Sequence, residues 1–367
     1  MNDFTYFMPA RILFGKDCVV KNSAEFKKLG SKALIFTGRN SAKINGSLDD
    51  VTTALEAQGM GYVVFNEVEE NPSLETVERA SKIGIEAGAD FVIGIGGGSP
   101  MDAAKGASFL IKNPDLGIDM LMSQESYQHA PVVEIATTAG TGSEVTQYAI
   151  FTLHDKGTKS ASAQKTFADL AFLDAKYTMS LSDRVTINTA IDALTHLIEG
   201  YMSTKASYLS DRIAETGLRV FAECIESLKE RNFPEETREK LLLMSTIAGM
   251  VIAQTGSSLP HACGYMLTYE KNIAHGRANA IFMRAYLEMF SDKTKVNTLL
   301  DILGFGSIEE FCEFLKNVLD KREDFTEDEL DRYVDSVMKD AVKLQSFPGE
   351  LNRDDIYDLH KKSLILY

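Results

Sequence analysis

Three histidines and one aspartate in the second half of the chain are of the types that bind transition metals. Asp192 and His196 stand four apart in IDALTHLIEGY, so a helix would set them on one face. His261 follows Pro260, and His275 precedes Gly276. One carboxylate and three imidazoles make a complete donor set for a divalent transition metal, too rich in nitrogen for Mg2+ or Ca2+. The alternative is that each histidine caps or hydrogen-bonds locally, and for a single histidine that alternative would win. A cation held here beside a hydride carrier would polarise an alcohol or carbonyl oxygen.

A second stretch points to a phosphate-bearing ligand. In FVIGIGGGSPMDAAK an apolar run, Phe91–Ile93, leads into Gly94, Gly96, Gly97 and Gly98. The run reads as a buried parallel strand, and the glycines allow backbone N–H groups to approach an anion closely. Ser99 reads as the N-cap of the next helix, Pro100 as its first residue, and Asp102 as the partner in a capping box. A helix N-terminus adds partial positive charge, so phosphate or pyrophosphate is the natural guest. Ser99 stands where the strict dinucleotide fingerprint wants its third glycine. A plain tight turn is the competing account. AGTGSEVT, residues 139–146, follows another strand pattern and could supply a second wall of hydroxyl and amide donors.

Elements that position these residues follow from hydrophobic periodicity. Strand patterns at 33–36, 62–65, 91–93 and 132–136 alternate with helical patterns at 23–29, 47–58, 73–87 and 99–111. Residues 4–14 read as an edge strand, and 148–173 as short strands with a turn at 155–157. Such alternation implies a parallel sheet covered by helices on both faces, with ligands at the strands' carboxyl ends. After Met179 strand signals stop and amphipathic helices take over. We therefore expect an α/β domain over 1–179 and an all-helical domain over 180–367.

The totals restrict function. A 367-residue chain with 25% charged residues and a net charge of −15 argues against nucleic acid or an anionic membrane as partner. No apolar run reaches the ~20 residues of a membrane helix, and the start lacks the pattern of a signal peptide. Cys18, Cys224, Cys263 and Cys312 form no C-x-x-C pair, which suits reduced thiols in a cytoplasm.

The segments together resemble the iron-containing (group III) alcohol dehydrogenases. GGGSPMDAAK at 96–105 and TTAGTGSEVT at 137–146 look like two of their characteristic stretches. IDALTHLIEGY at 191–201 and LPHACGY with NIAHGRANA within 259–280 look like their metal segments, and SFPGELNRDDI extends the likeness towards the end. The resemblance implies a Rossmann-like N-terminal domain and an all-α C-terminal domain, the two-domain plan shared with dehydroquinate synthase. It implies Asp192, His196, His261 and His275 as ligands of Fe2+, with Zn2+ as the other candidate. It also implies that Gly97, Gly98, Ser99, Asp102, Thr137, Thr138 and Ser143 line the cofactor site. Lys159 is expected near the nicotinamide ribose, Asn71 is counted with the same site, and a homodimer or larger assembly is expected. Where many members carry a further histidine four residues after the third ligand, this chain has Tyr265, so its proton path is open between Tyr265, water and a ribose hydroxyl.

The implied reaction is hydride transfer between NAD(P)(H) and a small, primary alcohol or aldehyde. Rivals on the same fold are dehydroquinate-synthase-like or glycerol-dehydrogenase-like enzymes, and a non-catalytic nucleotide or metal binder is a third. The anionic-substrate rival wants more cations than Lys271 and Arg277 supply near the ligands. Phe151, Leu259 and Tyr265 are the expected apolar lining. At the end of the first buried strand, Gly38 stands where NAD-preferring relatives tend to carry aspartate. Arg39, Ser41 and Lys43 surround it, so we expect NADP(H) to be preferred.

Overall fold

A computed structural model describes residues 3–156, 158–319 and 324–365. The chain divides into two compact units, one over Met8–Leu181 and one over Ser182 onward together with the chain start through Phe7. Phe7 belongs with the helices because its backbone is tied there. Its N–H donates to Gln254 Oε1 (3.1 Å), and Gln254 Nε2 donates back to its carbonyl (2.8 Å). Strand pairing starts only at Arg11, so the edge strand expected over 4–14 is confined to its last residues.

The first unit is built on a six-stranded, all-parallel sheet. Its strands are β1 (Arg11–Phe14), β2 (Lys32–Thr37), β3 (Gly61–Phe65), β4 (Phe91–Gly96) and β5 (Val132–Ala136), with β8 (Leu170–Leu173) between β1 and β5. The spatial order is β1-β8-β5-β4-β2-β3. A separate antiparallel hairpin pairs β6 (Ile150–Leu153) with β7 (Thr158–Ala161). The turn expected at 155–157 includes Gly157, which lies outside the described residues.

Side chains alternate across the sheet, as a strand requires. Ile35, Ile93, Ile95, Val133, Ile135 and Phe172 pack on one face with Val51 and Leu55 of the Ser47–Ala57 helix. Leu34, Phe36, Val92 and Val132 pack on the other with Val77, Ala103 and Ala107 of helices Leu74–Ala87 and Gly98–Lys112. Both faces are therefore dry, which is why these strands read as unbroken apolar runs. The helical pattern at 23–29 is a 3-10 segment, Ser23–Lys28.

Register fixes where a ligand can sit. Thr37 pairs with Ile95, and Gly96 with Ala136. Gly38, Gly97 and Thr137 consequently emerge side by side at the carboxyl edge of the sheet.

The second unit is helical among its described residues, and its centre is the long helix Asp183–Met202. Ser182 caps it, accepting from Val185 N–H (3.4 Å). Every residue from Ala190 to Met202 is buried, against helices that include Tyr208–Ala222 and Glu235–Thr255. No single helix among the described residues is long and apolar enough to cross a membrane. All four cysteines are free and buried.

Candidate metal centre and nucleotide site

Asp192 lies midway along the buried helix, and its carboxylate is where the histidines meet. His261 Nε2 is 3.6 Å from Asp192 Oδ1, and His275 Nε2 is 4.0 Å from the same oxygen. One ligand atom from each of the three falls within 4.8 Å of the others. The His196 ring stacks on that of His261 at 4.4 Å, and the His275 ring meets the latter edge-on at 5.2 Å. His129, His154 and His360 take no part; His129 bonds Ala130 O and Thr166, and His360 bonds Ile356 O.

Local sequence explains the convergence. Leu259 opens the Leu259–Lys271 helix, with Pro260 second and His261 third in its first turn, where a proline's missing N–H costs nothing. Asn272 closes that helix in the left-handed conformation (φ 52°), which turns the chain towards His275. Gly276 then seats the next helix directly on the Asp192 helix. A Cβ at Gly276 would lie 1.9 Å from Asn188 O, so no other residue could bring His275 this close.

The electrostatics suit a cation. His261 Nε2 and His196 Nδ1 are buried with no hydrogen-bond partner, although buried polar atoms nearly always have one. Burial pushes His196 down, to about 4, leaving a neutral imidazole with a free lone pair. Burial works against the Asp192 carboxylate too, but the three imidazoles outweigh it and hold Asp192 well below the usual carboxylate range. For His261 burial opposes charge as well, but Glu199 and Asp192 prevail and raise it to about 9.

Glu199 is a residue that sequence reasoning missed. It is fully buried, and its Oε1 accepts a hydrogen bond from His261 Nδ1–H at 2.5 Å. Its other oxygen accepts the Ser258 backbone N–H. Holding Nδ1 protonated fixes the tautomer, so that a cation displacing the other ring proton would meet the Nε2 lone pair beside Asp192. Asn279, also fully buried, donates from Nδ2 to Asp192 Oδ1 (3.0 Å). The available signal for Glu199 was its spacing, three after His196 and seven after Asp192, on the same helix face.

Tyr265 stacks on His275, with ring centroids 5.8 Å apart and planes 10° from parallel. Leu259, expected to line a substrate pocket, is fully buried in the same helix and exposes no surface to one. Phe151 is a correction. Its ring is wholly buried in the first unit's core, where a Cβ on Gly106 would touch it at 2.7 Å, so it offers no face to a substrate.

In the first unit the glycine turn and the 137–146 loop are brought together. A Cβ on Gly97 would lie 3.0 Å from Thr138 Oγ1, and one on Gly98 would lie 3.1 Å from Thr141 Cγ2. Thr137 N–H donates to Gly96 O (2.8 Å). Asn71, at φ 57°, joins them, its N–H donating to Ser99 Oγ (3.0 Å). Thr152 Oγ1 donates to Asn71 O (2.7 Å), and Lys159 is Thr152's cross-strand partner in the hairpin. Burial lowers the Lys159 ammonium, with Glu70 opposing.

The expected capping box does not form. The helix begins at Gly98 with Gly97 as its cap, so Ser99 is already helical. Asp102 instead accepts from Ser143 Oγ (2.9 Å) and Ile150 N–H (3.0 Å), contacts made far along the chain. Burial pushes its carboxyl up, to about 6, with Lys105 opposing. At the end of β2, a Cβ on Gly38 would meet only Ser41 Oγ at 3.5 Å and Val68 O at 3.8 Å, both ordinary contacts. Arg39, Ser41 and Lys43 are exposed around it.

A parallel sheet ending in a glycine turn, joined to a helical unit that gathers an aspartate and histidines, is the make-up of a metal-dependent dehydrogenase. The model of the iron-containing alcohol dehydrogenases matches residues 9–175, and the model of that family's C-terminal region matches 186–364. A solved iron-containing alcohol dehydrogenase from Thermotoga maritima is 39% identical, covers 99% of both chains and superposes with a TM-score of 0.91. Long-chain-alcohol dehydrogenase 1 of Geobacillus thermodenitrificans is 33% identical over 80% of this chain and 74% of its own. NADH-dependent butanol dehydrogenase B of Clostridium acetobutylicum is 29% identical over 99% of this chain and 100% of its own. The chain belongs to the iron-containing alcohol dehydrogenase family.

Proposed function

We propose that this chain is a metal-dependent alcohol dehydrogenase and aldehyde reductase acting on small primary alcohols with a nicotinamide cofactor. The observation that carries the reading is the meeting of His261 Nε2 and His275 Nε2 at Asp192 Oδ1, with the buried His261 nitrogen lacking any protein partner. Asp192, His196, His261 and His275 would hold Fe2+, with Zn2+ as the other candidate, because both accept imidazole and carboxylate. When bound, the ion supplies Lewis acidity to the alcohol or carbonyl oxygen. Glu199 and Asn279 orient two of its ligands. Tyr265 packs on His275, and that stacking is the role the reading gives it, with the proton path left to water or a ribose hydroxyl unless its own hydroxyl relays.

For the cofactor, the turn Gly97–Ser99, Asn71 and the Thr137–Thr138 segment supply amides and hydroxyls at the sheet's carboxyl edge, with Lys159 on the neighbouring hairpin. The reading includes a preference for NADP(H), although the Clostridium acetobutylicum relative is named for NADH. Its support is Gly38, which has no carboxylate to repel a 2′-phosphate, and the exposed Arg39, Ser41 and Lys43 beside it. A homodimer or larger assembly and a cytoplasmic setting complete it, the latter supported by an acidic chain with four free cysteines.

The test is turnover of a primary-alcohol and aldehyde panel with each cofactor, followed by nicotinamide absorbance, before and after chelation. Chelation should abolish turnover and Fe2+ or Zn2+ restore it; full activity without metal overturns the reading. NADP+ should give the higher kcat/KM. Gly38→Asp places its Cβ at ordinary contact distances and should weaken NADP+ use while leaving NAD+ use equal or better. A wild-type enzyme at least as efficient with NAD+ overturns the cofactor preference alone.

A further inference from the structure

Lys105 ends the glycine-rich motif, and a lysine after such a turn invites assignment as a phosphate-binding cation. Its surroundings oppose that. Lys105 is 1% exposed, on the inner face of the Gly98–Lys112 helix. An ammonium has three protons to give. Here they go to Ser143 O (2.6 Å), Ser143 Oγ (2.8 Å) and Tyr148 O (3.0 Å). None is left for an anion.

All three acceptors belong to the loop that follows β5. From the same helix, Asp102 adds bonds from Ser143 Oγ and Ile150 N–H. One end of that loop, Thr137 to Thr141, stands against Gly97 and Gly98 with less than a methyl group to spare. A shift of the loop would therefore open or close the wall opposite the glycine turn. The site of attachment is costly to build, since it buries the ammonium in the protein interior, where the charges of the buried Glu134, Asp102 and Glu144 only oppose that cost. Apolar residues could fill such space at no electrostatic cost.

We propose that Lys105 is a positioning residue, a buried peg that locks the 137–149 loop to the glycine-turn helix and so holds the two walls of the nucleotide site in register. The proposal rests on the cofactor reading above. Without the peg the loop samples other positions, and apparent cofactor affinity falls by the fraction of time it is correctly placed. Correct placement one tenth of the time raises the apparent Kd about tenfold.

The experiment is Lys105→Met in the full-length, metal-loaded protein, read in two ways. Hydrogen–deuterium exchange without cofactor should rise in 137–149 and stay unchanged in the Asp192 and His261 helices. NADPH and NADH binding, followed by nicotinamide fluorescence, should weaken about tenfold or more with metal content unchanged. Should Lys105→Met fail to fold, Ser143→Ala removes one acceptor and the donor to Asp102, and should raise exchange in the same segment. Affinity lost with exchange unaltered would show a direct anion contact and overturn the proposal, as would unchanged affinity and exchange in either folded variant. If the wild type binds neither cofactor, the functional reading fails, while exchange in 137–149 still decides whether the peg exists.

Discussion

Replacing Glu199 by glutamine is a sharp test of how the metal centre is built, because the change is almost isosteric. Glu199 offers two acceptor oxygens to two buried donors, His261 Nδ1–H at 2.5 Å and the Ser258 backbone N–H. Glutamine offers one acceptor and one NH2. If its oxygen faces His261, the NH2 opposes the Ser258 N–H; if it is flipped, the NH2 opposes the imidazole. Either way one fully buried donor loses its partner, at a cost of about 1–3 kcal/mol. Felt at the His261 side, that is about 5- to 150-fold in metal affinity, which brackets the ~10–100-fold seen when the carboxylate behind a ligating histidine is lost. The assay is competition with a chelator of known affinity, alongside the melting temperature of the metal-free protein. We expect Glu199→Gln to surrender metal at correspondingly lower chelator concentration, and to regain most of its turnover in excess metal. A variant that competes as well as the wild type would refute the tautomer argument. So would a loss of affinity matched by general loss of metal-free stability, since that would mean Glu199 only supports the fold.

Tyr265→Phe keeps the ring stacked on His275 and removes the hydroxyl. Because the ring is stacked on His275, we expect kcat to stay near wild type; a fall of ~10² or more, the scale of general acid–base groups, with unchanged metal content would overturn the packing role and show a proton relay. Glu134→Gln should change how stability depends on pH. Burial raises the Glu134 carboxyl well above its ordinary 4.5, Lys105 opposing, and neither of its oxygens has a hydrogen-bond partner. The folded state therefore binds this proton more tightly than the unfolded chain, so stability is greatest below the unfolded value and declines as pH rises towards the folded one. Glutamine removes that decline, and the melting temperature of the variant relative to wild type should increase from acid to neutral pH; a constant or shrinking difference would refute it.

What could be read from the sequence is what short-range chemistry decides. The strands of the sheet are buried on both faces and so are apolar throughout, and Ser73, an N-cap that accepts from Thr76 N–H at 3.2 Å, marks its helix with a signal three residues long. The cap at Ser99 failed although its local pattern was as good. Asp102 had partners on offer from Ser143 and Ile150, and a buried bond from a distant segment outcompetes a solvated one within the same turn. Phe151 was misplaced for lack of the same information, since a strand residue's face is set by the sheet or helix it packs on.

Glu199 shows the limit most clearly. Asp192, His196 and Glu199 share one helix face by spacing alone, and on a helix facing water such a trio would be three solvated side chains. What makes them a site is that the chain returns twice. Ser258 brings a backbone N–H to Glu199 just before His261 arrives, and Gly276 lets the His275 helix touch the backbone at Asn188. Neither acts here through a side-chain group that a motif would flag: one acts through its backbone amide and the other through the absence of a side chain. The candidate ligands could be picked out because their chemistry resides in the side chain. The residues that aim them could not, because their contribution is geometry between segments far apart in sequence.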